Sequence, residues 1–128
     1  MNNYGYQNYK VQSMNTMTSG ELLLLLFDES AKRLTKAEMS LKNDDIPTFT
    51  ASMERVSEII RYLDTTLDKS YSISHDISRM YEYFQFQIAR IKAGRNVELI
   101  HGLRTMLMDL RNTFKEADAL SQKDLVKN

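Results

Sequence analysis

The chain has 128 residues, with 17 Lys and Arg set against 17 Asp and Glu, so its formal net charge at pH 7 is zero. That length suits one domain with a core of its own, and the mixed signs along the chain exclude the basic footprint of a nucleic-acid or membrane-surface binder. The absence of cysteine excludes a disulfide framework and a thiolate metal site and suits a reducing cytoplasm.

Residues 1–17 read as an N-terminal arm. Met1 to Ser13 is Asn, Gln and Tyr with a single Lys10, so it lacks both the basic and the apolar part of a signal peptide. Tyr4, Tyr6, Tyr9 and Val11 are its sizeable apolar groups before Met14 and Met17. Tyrosines at this spacing suit an arm that docks on an apolar groove of the bundle.

Thr18-Ser19-Gly20-Glu21 is a capping-box pattern that opens a first helix over about 19–42. One stripe runs Leu23, Phe27, Ser30, Leu34, Ala37 and Leu41, and Asn43-Asp44-Asp45 ends the helix. Inside it, Leu22-Leu23-Leu24-Leu25-Leu26-Phe27 sweeps through about 600° of helix surface, which is more than one core-facing stripe can use. The run is also too short to cross a bilayer. Pro47 is tolerated in the first turn of a second helix over about 47–69. Its seam is Phe49, Met53, Val56, Ile60, Leu63 and Leu67, with Ile59 and Tyr62 outside it. Ser70 to Ser72 connect to a third helix over about 75–93, capped by Ser74 and closed by Gly94. Its seam is Ile77, Tyr81, Phe84, Ile88 and Ile91, leaving Met80, Tyr83 and Phe86 aside. Asn96 caps a fourth helix over about 97–119, with seam Ile100, Leu103, Leu107, Leu110, Phe114 and Ala117, flanked by Leu99, Met106 and Met108. Residues 121–128 lose the pattern and read as a loose tail. Four helices with short connections predict an all-α fold, an antiparallel up-and-down four-helix bundle over residues 18–120.

Catalytic and metal chemistry find little support. Glu98-x-x-His101 is half of a two-metal bundle motif, but the other histidine, His75, has Ser72 at the matching position. A phosphotransfer histidine is a better rival, with His101 facing solvent next to Gly102 and Arg104 at hand for a phosphoryl group. The acid pairs Asp64 with Asp68 and Glu54 with Glu58 sit on polar faces, and Arg90, Lys92 and Arg95 suit the end of the third helix. With no nucleophile beside a base, no enzyme activity, metal or cofactor is expected.

What remains is apolar surface. Leu22, Leu25, Leu26, Ile59, Tyr62, Met80, Tyr83, Phe86, Leu99, Met106 and Met108 are not needed by a single seam per helix, although bundle helices touch two neighbours and part of this set is core flank. Methionine adapts to irregular partners and tyrosine joins apolar area to a polar tip, so the set suits a groove for another chain's amphipathic helices. A generic helical scaffold for protein binding answers the same pattern.

From about Tyr6 to Phe114 the chain also resembles the flagellin-specific export chaperones of the FliS family. The resemblance rests on Tyr9, Thr18-Ser19-x-Glu21-Leu22, Leu26-Phe27-Asp28, Thr66-Leu67-Asp68, Met80-Tyr81-Glu82-Tyr83-Phe84 and Leu110-Arg111-x-x-Phe114, in that order and spacing. Thr18-Ser19 departs from a usual Ser-Pro, Glu29 from a Gly, and Phe114 from a Trp, which marks a divergent member. The resemblance implies a bacterial cytosolic chaperone with no catalytic activity. It implies one-to-one binding of the disordered flagellin C-terminal segment, which becomes helical around the bundle and is kept from premature polymerisation. It also implies docking of the complex on the cytoplasmic domain of the export-gate protein. On this reading Leu22, Leu25, Leu26, Phe27, Ile59, Tyr62, Met80, Tyr83, Phe86 and Met106 form the flagellin groove. Tyr6, Tyr9 and Val11 of the arm gate it or serve export-gate docking. Neither nucleic acid nor membrane insertion is expected, and exposed apolar surface could drive a weak homodimer.

Overall fold

A computed structural model describes the backbone of residues 17–127 and the side chains through Leu120. Among the described residues there are four helices: α1 (Ser19–Lys42), α2 (Ile46–Thr65), α3 (Ser74–Gly94) and α4 (Val97–Lys127). They form a ring in which α1 packs on α2 and α4, and α3 on α2 and α4, the α3–α4 contact being the sparsest of the four. Each connection is too short for anything but an antiparallel neighbour, and the molecule is the four-helix bundle that the seams predict.

The start of α1 follows from its cap. The Thr18 hydroxyl accepts from the Glu21 amide at 3.1 Å, and the same hydroxyl donates to Glu21 Oε1 at 3.1 Å. Asp44 takes a left-handed conformation at φ 56°, and Asp45 then caps α2 by accepting from the Thr48 amide at 3.2 Å. Those contacts with Thr48, side chain first, hold the Asp45 carboxyl below its ordinary pKa. Asn96 caps α4 by accepting from the Leu99 amide.

The helix ends show where local hydrogen bonding outweighs periodicity. α2 stops at Thr65, because the Thr66 hydroxyl turns back to the Tyr62 carbonyl at 2.9 Å and Asp68 accepts from both the amide and the hydroxyl of Ser70. Such side-chain bonds offer the backbone an alternative to helix. They also hold the Asp68 carboxyl below its usual pKa, the Ser70 hydroxyl contributing most. Ser74 is the first residue of α3 rather than its cap, and its hydroxyl donates to the Asp68 carbonyl, tying the connection down. Gly94 is likewise still helical; Arg95 takes the left-handed position at φ 52° and its amide donates to the Ile91 carbonyl at 2.7 Å. α4 continues to Lys127, since neither Gly nor Pro interrupts its last turns.

The core consists of the seams with off-seam Ile59. Phe27, Leu34, Ala37, Phe49, Met53, Val56, Ile60, Leu63, Ile77, Tyr81, Phe84, Ile88, Ile91, Ile100, Leu103, Leu107 and Leu110 are buried, with Leu23, Leu41, Leu67 and Phe114 packed against them. Ala117, placed on the fourth seam by spacing, is exposed. Polar side chains fix the rotation of neighbouring helices. Ser57 donates to Gln85 Oε1 at 2.8 Å while Gln85 Nε2 donates to the Ser57 carbonyl at 2.9 Å, which locks α2 to α3.

Candidate functional site

Antiparallel packing brings together the start of α1, the end of α2, the start of α3 and the middle of α4, and two apolar grooves open there. The first, of about 330 Å³, lies between α1 and α2 and is lined by Ser19, Leu22, Leu23, Leu26, Tyr62, Leu63, Thr66, Leu67, Asp68, Tyr81 and Phe114. The second, of about 570 Å³, lies between α3 and α4 and is lined by Ile73, Asp76, Ile77, Met80, Met106, Asp109, Leu110, Thr113, Phe114 and Ala117. Phe114 is common to both.

Phe114 is positioned from α1. Its ring stacks on Phe27 at 5.7 Å between centroids, with the planes 29° apart. One turn back on α4, Arg111 Nε donates to Asp28 Oδ1 at 3.0 Å and an Arg111 terminal nitrogen donates to Asp28 Oδ2 at 3.3 Å. Thus Phe27-Asp28 and Arg111-x-x-Phe114, distant in sequence, form one two-part clamp, an aromatic stack beside a bidentate ion pair. Tyr81 closes the floor of the first groove, where burial, and secondarily the charge of Asp64, push its phenol pKa upward.

The expected groove residues divide into four groups. Leu22, Leu26 and Tyr62 line the first groove, and Met80 and Met106 line the second. Tyr83 and Phe86 lie on the outer face of α3, 44% and 59% exposed, away from both grooves. Gln87 donates to the Tyr83 hydroxyl at 2.5 Å, and the Arg90 guanidinium stands 5.8 Å from the Phe86 ring centre. Leu25 is half-buried on α1 outside both linings. Phe27 and Ile59, expected in the groove, are enclosed in the core at 0% and 2% exposure, so in this state they support its walls and offer no surface to a partner. Phe27 is on the seam of α1, and Ile59 sits next to the seam of α2, a helix with two neighbours, where the apolar stripe is wide. Tyr6, Tyr9 and Val11 lie outside the described residues.

Periodicity alone misses Leu63, Leu67, Ile77, Leu110 and Phe114 as groove residues, because a seam position reads as core, and it misses Ile73, which precedes α3. The stretches Thr66-Leu67-Asp68 and Leu110-Arg111-x-x-Phe114 carry the signal that could have found five of the lining residues, Thr66, Leu67, Asp68, Leu110 and Phe114.

At the far end of the bundle His101 is engaged by a carboxylate, which disfavours the phosphoryl-carrier alternative. Its Nε2 stands 2.8 Å from Glu38 Oε1, and Arg104 donates to the same oxygen at 3.1 Å. These contacts, that of His101 foremost, lower the Glu38 pKa to about 2. A carboxylate held ionised against the ring repels an incoming phosphoryl group and takes up the cation that would have received it. Among the described residues no three His, Cys, Asp or Glu side chains gather as a metal site, and no helix is long and apolar enough to cross a membrane.

Fold and grooves together define a class, the four-helix bundle that leaves apolar channels open between its helices. Within that class the chain belongs to the FliS family: the model of the flagellar protein FliS matches residues 1–121. A relative from Bacillus subtilis (strain 168), a flagellar secretion chaperone FliS, is 26% identical over 119 residues, which cover 93% of this chain and 90% of the relative.

Proposed function

We propose that the protein is a cytosolic flagellar secretion chaperone that binds the C-terminal segment of flagellin, one chain to one, and delivers it to the cytoplasmic domain of the flagellar export gate. The observation that carries this reading is the pair of grooves sharing Phe114, the first of them built largely from the residue stretches that the family resemblance singles out. Their linings of leucine, isoleucine, methionine and aromatic side chains, open to solvent between pairs of helices, suit rows of side chains from helical segments. Bound there, the flagellin segment keeps its assembly surface covered and is withheld from polymerisation. A segment that orders on binding must recover its lost entropy through apolar burial, and these grooves, with the exposed Tyr62, Tyr83 and Phe86, offer such surface. The arm residues Tyr6, Tyr9 and Val11 compete for the grooves or assist gate docking. Ser19 at the start of α1 lines the first groove, and Val11 precedes it by eight positions in the sequence. No step of this role needs catalysis or a cofactor.

The test is titration calorimetry and circular dichroism with a peptide of about the last 40 residues of the same organism's flagellin, a length set by the coupled-folding requirement. Binding with a gain of helix beyond the sum of the components is expected. A peptide that stays unbound and unfolded overturns the reading and returns weight to a scaffold for another partner.

A further inference from the structure

The two grooves differ in their charges. In the first, the carboxylate of Asp68 is engaged by the amide and hydroxyl of Ser70. The second carries one carboxylate on each wall, Asp76 from α3 and Asp109 from α4. Asp28, Glu38 and Asp64, which also stand where helices meet, are all paired with cations. Asp76 and Asp109 make no side-chain hydrogen bond or ion pair among the described residues. Asp76 gains something from the first turn of α3; Asp109, in the middle of α4, has no such support. It stands beside Met106 and Leu110 on a wall that is otherwise mostly apolar.

We propose that the α3–α4 groove selects a client helix whose apolar stripe is flanked by lysine or arginine, with Asp76 and Asp109 receiving the cations. The reasoning is one of complementary charge and of penalty. A helix seated on Ile73, Ile77, Met80 and Leu110 removes water from the groove mouth. A neutral or acidic flank then leaves two carboxylates desolvated and unpaired, whereas a basic flank pairs them. The carboxylates therefore act more against wrong helices than for the right one, which is how specificity is built. This rests on the chaperone reading for the identity of the client and adds the chemistry by which its helix is recognised.

Two synthetic amphipathic peptides sharing one Leu/Met stripe at helical spacing, one flanked by Lys and the other by Glu, test it by fluorescence anisotropy against the full chain and against D76N/D109N. Circular dichroism confirms that the variant keeps its fold. The Lys peptide should bind the native protein about tenfold more tightly at low salt, two partly exposed pairs supplying that difference. The preference should fall below about threefold in the double variant and in high salt. Equal affinity for the two peptides, no binding of either, or undiminished preference in D76N/D109N overturns the proposal. A flagellin peptide that fails to bind while the Lys preference stands overturns the client's identity alone, and a flagellin peptide that binds without any Lys preference overturns this proposal alone.

Discussion

The clamp between Asp28 and Arg111 can be tested by a double-mutant cycle using D28N, R111Q and the double variant. The pair is bidentate, at 3.0 and 3.3 Å, and its side chains are 36% and 20% exposed. Charges about 4 Å apart attract by about 1 kcal/mol in bulk water and about 4 kcal/mol at the effective dielectric of a protein surface. Solvent screening at Asp28 and the entropy of fixing a long side chain remove most of the upper figure, leaving a coupling of about 1–1.5 kcal/mol. Arg111 also donates to Asn112 at 3.2 Å, which is why a cycle is needed and a single substitution does not suffice. Urea unfolding followed by circular dichroism reads the coupling, since a loss of about 1 kcal/mol lowers the midpoint by roughly 0.5 M for a domain of this size. The same variants should bind the flagellin segment more weakly, because the ion pair holds the Phe27–Phe114 stack that walls both grooves. A coupling below about 0.3 kcal/mol, with each substitution acting independently, refutes the claim that this pair fastens α4 to α1.

Glu38, ionised in the folded state down to about pH 2, contributes stability that is fully present above its unfolded pKa near 4.5 and disappears as the pH falls between the two. The stability gap between the native chain and E38Q, about 1–2 kcal/mol near pH 6 after screening, should close on acidification from pH 5 to pH 2.5, and a gap independent of pH refutes this. The two classes of expected site residue should also separate. F27A should cost about 3–5 kcal/mol of unfolding free energy, as a buried aromatic truncation does, whereas F86S should leave unfolding within about 0.5 kcal/mol of native, as exposed substitutions do. If F86S destabilises as much as F27A, the exposed face of α3 is structural.

Much of this fold is readable from spacing, because nearly every seam residue serves the core and the apolar period is that of a bundle. Spacing reads a single helix, whereas a groove is a property of two. Ile77 and Leu110 have correct core positions, yet they floor an open channel because α3 and α4 pack sparsely at that end. Conversely, Ile59 looks like leftover surface on α2 and is buried, because that helix packs against both α1 and α3. The aromatic strip Tyr83–Phe86 was legible as off-seam, and its separation from both grooves was not, since that depends on which neighbour each flank meets.

The departure at Phe114 bears on how the two grooves work together. The ring belongs to both linings and is held from behind by Phe27. Whatever inserts into one groove therefore presses on a wall of the other. In a close-packed bundle such a wall yields by moving as a unit, and Phe114 has a ring stack on one side and, one turn away, an ion pair that resist the movement. Phenylalanine, smaller than the tryptophan of the family pattern and without its N–H, fills less of either channel and asks for no polar partner. The consequence is more room on both sides of a shared partition, so on the proposed function a client can place bulkier apolar side chains against it than a tryptophan would admit.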